Sequence, residues 1–396
     1  MTGGNPEYTR GAVARYFILN MKLDKLIGDK SRVSFLEISL CFVLFSFLLI
    51  RGTFRGVLLP IMLFALPHLI LYGYALINRN IKRETFNKLI FVSFCVFYIG
   101  IKIYRGMDCI GNEGDRDDAL YQSVTHFLNG QYPYSELTFR HHVIATGPSS
   151  ILLSLPFVKF FNSIQIVSTA AVLFLITYIW RYAEKVSKVP ILSLAVTVMI
   201  MTPFSNFNFW ESGEELLYGL PFLYLAVIMF FNKSIKQDFI KDILIGIFLG
   251  ISLLVRMNYS FPIVVILGFV LFNKGIRNFS FTLISFLFTV LIICFPFAAM
   301  DPKHFITHIL VTWFDGDISF MAQNVLFFLS FIIWAYYYTI RKMPLKNQIH
   351  ILIGISLFIG YIATGYISLP WHVLYWAIPF LITFPYLYRQ EVRSKK

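Results

Sequence analysis

Charge is what this sequence has least of. Only 14% of its 396 residues are Asp, Glu, Lys or Arg, against about 25% in a soluble globular domain. Cysteine is scarce too. Cys41, Cys95, Cys109 and Cys294 are far apart, which excludes a disulfide framework and the spacing of a metal-binding pair, and three of them sit inside apolar runs as small hydrophobes do. No Gly/Ser- or Pro-rich linker, low-complexity stretch or internal repeat divides the chain, so residues 1–396 read as one domain. The N-terminus lacks the early apolar segment of a cleavable signal peptide, because the first apolar run begins only near Val33.

Long apolar runs are abundant: 57% of the residues are hydrophobic. In lipid such runs must be helical, since a helix satisfies its backbone hydrogen bonds internally. Spans are expected near 34–50, 56–77, 89–103, 163–180, 190–203, 215–232, 279–297, 319–340, 349–366 and 372–388. Shorter apolar pieces lie at 148–161, 243–255 and 259–272. The expected fold is all-α: a polytopic integral membrane bundle of about 10–12 transmembrane helices, roughly 20 residues being needed per crossing.

The net charge of +13 is distributed in a way that points away from nucleic acid. Most of the 34 basic residues fall in short loops that share one side if both termini are cytoplasmic, as the positive-inside rule requires. That assignment needs 148–161 to stop short of crossing and 243–272 to form a hairpin or re-entrant pair. It makes the chain a multi-pass membrane protein whose opposite side is periplasmic, extracellular or lumenal; the bacterial inner (plasma) membrane is the expected location. The opposite side then collects three polar segments, 104–147, 204–214 and 298–318, of which 104–162 forms the main outer loop with re-entrant or interfacial helices.

Chemistry concentrates in the first of these. Asp108, Glu113, Asp115, Asp117 and Asp118 fall within a short stretch. From Asp117 the sequence DDALYQSVTHFL has an apolar stripe of Leu120, Val124, Phe127 and Leu128 and reads as a short amphipathic helix, ended by Asn129-Gly130. Asp117 or Asp118 would stand in its first turn, where the backbone dipole favours carboxylates, with Asp115 ahead of it. Crowded carboxylates raise one another's pKa or recruit a divalent cation, and either suits a general base. Solvated helix-capping acids are the plainer alternative.

Several further residues bear on binding. Arg256 interrupts an apolar run, and an intramembrane arginine marks a functional site by default, with a guanidinium fork suited to phosphate; snorkelling to an interface is its structural alternative. Arg140, His141 and His142 are second candidates for the same charge. Glu211 and Glu215, four apart, share a helical face and could hold sugar hydroxyls or a cation. Trp371 and His372 stand at an outer helix end, where aromatic residues ordinarily anchor the interface.

The order Asp117, Tyr121, Gly130, Pro133, Tyr134 resembles the first lumenal loop of the type C (GT-C) membrane glycosyltransferases. Thr138-Phe139-Arg140 resembles the Thr-Tyr-Arg stretch of the lumenal mannosyltransferases that build glycosylphosphatidylinositol anchors, and Gly147-Pro148 the start of the apolar helix after that loop; the polyprenol-phosphate-mannose-dependent bacterial mannosyltransferases share the same layout. The match covers roughly 45 residues of the outer loop. The resemblance implies a polyprenyl-phosphate sugar donor, a lipid-linked or cell-envelope glycan acceptor, inverting transfer and an Asp general base: Asp117 first, Asp115 and Asp118 as alternates. It also places Tyr121 among the substrate-binding residues. A transporter or lipid flippase, and an O-antigen polymerase or ligase, are the rival readings. No cofactor is required beyond that optional cation.

Overall fold

The computed structural model describes residues 115–138, 144, 146–187, 218–235, 237–314 and 343–363, together with isolated residues between 70 and 95. The chain divides into two compact units, Met1–Tyr104 with Pro190–Ala195 and Arg105–Val189 with Val196–Lys396. In the first, only isolated residues are described. The helices below all belong to the second.

They are α1 (Asp115–Leu128), α2 (Pro148–Phe161), α3 (Gln165–Ser187), α4 (Gly219–Phe231), α5 (Asp238–Leu253), α6 (Ser260–Lys274), α7 (Ile276–Met300), α8 (Pro302–Phe314) and α9 (Leu345–Ala363), with a 3-10 turn at Met257–Tyr259 between α5 and α6. None of the described residues lies in a β-strand. The spans expected at 34–50, 190–203, 319–340 and 372–388 lie outside the described residues, and those at 56–77 and 89–103 are described only at isolated positions.

The expected re-entrant pair is a helical hairpin. Lys274 at the end of α6 reaches Asp242 near the start of α5 (2.7 Å), so the two helices run in opposite directions. Asn278 in the first turn of α7 also donates to Asp242 (2.6 Å), whose carboxylate is fully buried. From that clamp α5 packs along α7. Gly246 and Gly250 lie against α7 so closely that a Cβ would overlap Thr282 and crowd Thr289, the small-residue contact that lets helix backbones approach in lipid. Ser285 closes the same seam with a bond to the Ile243 carbonyl (2.9 Å). The 16 residues of α5 rise about 24 Å, which brings the hairpin tip at 254–259 close to the far side of a ~30 Å hydrocarbon core.

Among the described residues α7 is the helix long and apolar enough to cross a membrane, with 25 residues. Its apolar side chains are largely its exposed ones: Ile284, Leu287, Phe288, Leu291 and Phe295 face outward. That is the inverse of a soluble amphipathic helix. Shorter apolar helices, α2, α4 and α6 among them, accompany it.

The far end of α7 carries an aromatic cluster. Phe297, fully buried, stacks on Phe127 of α1 (5.0 Å between centroids) and lies 6.2 Å from Tyr134 and from Phe305. Phe297 is 19 residues beyond Asn278, or about 28 Å along the axis. The Asp242 clamp with its neighbouring lysines and the acid-bearing outer loop are thus at opposite ends of α7.

Candidate functional site

The described segments of the loop that carries the acids have local reasons for their shape. α1 begins at Asp115, one half-turn earlier than the expected Asp117, so Asp115 joins the first turn instead of preceding it. Leu120 and Val124 of its apolar stripe have no exposure, and Phe127 and Leu128 are half-buried. It ends as a Schellman turn. Gly130, at φ +73, supplies the left-handed residue, and the Gly130 and Gln131 amides bond back to the carbonyls of Phe127 (3.2 Å) and His126 (2.9 Å). Glu136 then folds back on α1, accepting from Gln122 (3.0 Å) and facing His126 at 3.6 Å.

The loop's end is where it meets Arg256. Pro148 opens α2 without sacrificing a backbone donor. The next amide, Ser149, donates to the carbonyl of Leu254 at the end of α5 (3.1 Å). A Cβ on Gly147 would overlap the carbonyl oxygens of Leu254 and Val255. The start of α4 meets the same tip. Gly219 opens α4 with its Cα against the ring of Tyr259, and its carbonyl accepts from Ser252 (3.0 Å). The hairpin tip that bears Arg256 is therefore gripped by the starts of two helices, α2 through Gly147 and Ser149 and α4 through Gly219. Arg256 is half-buried. In α2 the hydroxyls of Ser149, Ser150 and Ser154, and at the hairpin tip the Asn258 amide nitrogen, are buried with no partner among the described residues. Buried polar groups are ordinarily satisfied, so these groups have unused capacity for a ligand or water.

The third outer segment joins the first through rings. The Tyr134 ring stacks on His308 (4.0 Å), and Tyr132 lies 6.5 Å from His304. Asp301 caps α8, its carboxylate accepting from the His304 amide (3.1 Å) and its Nδ1 (2.6 Å). The His304 backbone bond, then its side chain, hold Asp301 below the usual carboxylate range. Burial drops His308 to about 4, and burial together with the Asp301 charge pushes the Tyr132 phenol well up.

Of the residues singled out in the sequence, Asp118, Tyr121 and Arg256 are fully described. Asp118 is half-exposed on α1. Tyr121 donates its hydroxyl to Asn162 Oδ1 at 2.5 Å. Asp115 and Asp117 are placed only as members of the first turn of α1. Arg140, His141, His142, Glu211, Glu215, Trp371 and His372 lie outside the described residues. Tyr121 and Leu254, two residues before Arg256, are held at opposite ends of α2, whose 14 residues span about 21 Å. Sequence reasoning missed Ser149, Ser150 and Ser154, whose signal was a run of serines within an apolar helix. It also missed the His304/His308 pair, four apart on one face of α8. Among the described residues no group of three His, Cys, Asp or Glu side chains could hold a metal ion.

No family model and no curated protein matches the chain. Among solved structures, the crystal structure of ArnT from Cupriavidus metallidurans bound to undecaprenyl phosphate aligns with a TM-score of 0.49 and 10% identity, covering 76% of this chain and 59% of that one. The chain thus spans less than two thirds of the length of ArnT, and a likeness of that degree assigns neither fold nor activity.

Proposed function

We propose that this chain is a multi-pass membrane glycosyltransferase of the type C kind. It would transfer a sugar from a polyprenyl-phosphate donor to a lipid-linked or cell-envelope glycan on the non-cytoplasmic face, with both termini in the cytoplasm. The exposed apolar face of α7 supports membrane embedding. The acid-bearing loop lies at the end of α7 away from Asp242, Lys274 and Asn278, which fits the charge asymmetry of the sequence.

The observation that carries this reading is the grip of Gly147 and Ser149 on the Leu254 carbonyl, two residues before Arg256. It brings the start of α2, which carries buried hydroxyls with unused hydrogen-bonding capacity, to the hairpin tip on which Arg256 stands inside an apolar run. A lipid phosphate needs that chemistry: one fixed positive charge, forked donors, and neutral donors around them. The leaving group is already a phosphate and requires charge neutralisation instead of a strong acid. The acceptor hydroxyl requires a base, for which Asp117 is the candidate, with Asp115 and Asp118 as alternates. Attack on the anomeric carbon from the face opposite the phosphate inverts its configuration.

In purified protein reconstituted in lipid, Asp117→Asn should bind undecaprenyl phosphate as the wild type does yet lose about 10²–10⁴ in transfer rate. Arg256→Ala should lose binding, and Arg256→Lys should retain part of it, because charge survives while the fork is lost. Undiminished transfer by Arg256→Ala, or by all three Asp variants, would overturn the reading. A re-entrant hairpin is also what a lipid flippase would present. Lipid translocation without sugar transfer would favour that alternative.

A further inference from the structure

We infer that Tyr121 and Asn162 are positioning residues, whose hydrogen bond holds the acid-bearing helix α1 against α2 and so sets its place relative to Arg256. The inference rests on the transfer reading above. It gives Tyr121 a role other than the substrate contact expected from the loop's resemblance.

Asn162 is the one non-glycine residue with positive φ among the described residues (φ 51). It caps α2, and its amide is already used on the Val158 carbonyl (2.9 Å). Asn is among the few side chains tolerated in that conformation, and here its Oδ1 faces outward to accept from Tyr121 at 2.5 Å. A second tyrosine holds the same elbow: the buried hydroxyl of Tyr218 donates to the Ile164 carbonyl (3.4 Å). Tyr218 adjoins Gly219, which lies against Tyr259 of the hairpin tip, and the tip carries the other end of α2 through Leu254. The helix α2, the tip and the start of α4 thus close a triangle, with Arg256 at one corner and Asn162 near another.

α1 packs on this frame through its buried Leu120 and Val124, and its Tyr121 hydroxyl bonds to the cap of α2; Phe127 rests on Phe297 of α7. Asp117 lies one turn before Tyr121. Losing the Tyr121 bond loosens the hold of α2 on that part of α1 while leaving the frame and Arg256 in place. A misplacement of about 1 Å can cost on the order of 10²-fold in rate.

The test uses the full chain reconstituted in lipid. Asn162→Gly keeps the left-handed backbone and removes the acceptor; Asn162→Asp keeps both. Tyr121→Phe and Asn162→Gly should each lower kcat by about 10–100-fold with donor KM changed less than about twofold. The double variant should be no worse than either single one, and Asn162→Asp should recover most of the rate. A raised KM in Tyr121→Phe with a silent Asn162→Gly, or fully additive losses, would make Tyr121 a substrate contact and overturn the inference. Asp117→Asn is measured alongside. If it and the matching Asp115→Asn and Asp118→Asn variants all transfer sugar normally, the transfer reading has failed; if one of the three is dead while Tyr121→Phe and Asn162→Gly are normal, only the positioning role has.

Discussion

Gly147 approaches Leu254 so closely that no side chain fits between them, although 106 residues of sequence separate the two. The contact is backbone on backbone, so a neighbouring rotamer cannot relieve it. Gly147→Ala should force the outer-loop end off the hairpin tip, at about 1–3 kcal/mol for the overpacking. Binding of undecaprenyl phosphate should fall at least tenfold, roughly the equivalent of 1.4 kcal/mol, with the thermal midpoint in detergent lowered by a few degrees. Ser149→Ala, which keeps the amide bond to Leu254, should leave the midpoint nearly unchanged. Wild-type binding by Gly147→Ala would separate this contact from the phosphate site.

The parts of this arrangement that sequence reasoning reached are the local ones. The bounds of α2 follow from Pro148 at its start and the end of its apolar run, and the end of α1 follows from Asn129-Gly130, because caps and breakers act within a few residues. The hairpin of α5 and α6 was legible from two short apolar pieces flanking Arg256. What local pattern does not encode is which distant surfaces meet. The docking of Gly147 on Leu254, the bond from Tyr121 to Asn162 and the stacking of Tyr134 on His308 each join different elements, and periodicity is blind to such pairings. Asp242 was not singled out either. Its burial depends on Lys274 and Asn278, more than 30 residues away in sequence.

That buried carboxylate should be worth most when its partner is removed. Lys274→Met leaves Asp242 without its cation, and breaking a buried pair from one side costs about 3–5 kcal/mol. Lys274 keeps some exposure, so the lower end applies. Pairing Lys274→Met with Asp242→Asn removes the stranded charge and should restore much of the loss, as read by thermal unfolding in detergent. Equal destabilisation in the single and double variants would mean that the clamp acts through packing alone.

The Tyr134–His308 stack gives the outer face an acid sensitivity. His308 stays neutral in the fold down to about 4, whereas an unfolded histidine takes up its proton near 6.5. Between those values the unfolded chain binds more protons than the folded one, so stability falls as pH falls through that window and is unaffected above it. The whole loss is bounded at about 3 kcal/mol. Asp301, held low by His304, adds a loss only at still lower pH. Unfolding midpoints measured from pH 7.5 down to 4.5 should slope for the wild type and flatten for His308→Phe, which keeps a ring on Tyr134. An unchanged slope in that variant would assign the titration elsewhere.

The last prediction concerns sidedness. Gln131 is exposed just beyond the turn that ends α1, and Phe127 of that helix rests on Phe297 at the far end of α7. Lys233 is exposed in the link between α4 and α5, a few residues before the Asp242 clamp. The axial distance of about 28 Å between Asn278 and Phe297 matches a ~30 Å hydrocarbon core, so the two positions should open to different aqueous phases. In intact cells a membrane-impermeant maleimide should label Gln131→Cys directly and Lys233→Cys only after permeabilisation, with the unsubstituted chain, whose Cys95 and Cys294 are half-buried, as the background. The opposite pattern would invert the orientation. Labelling of both from outside would mean that α7 does not separate two compartments, and would remove the membrane-spanning role given to it.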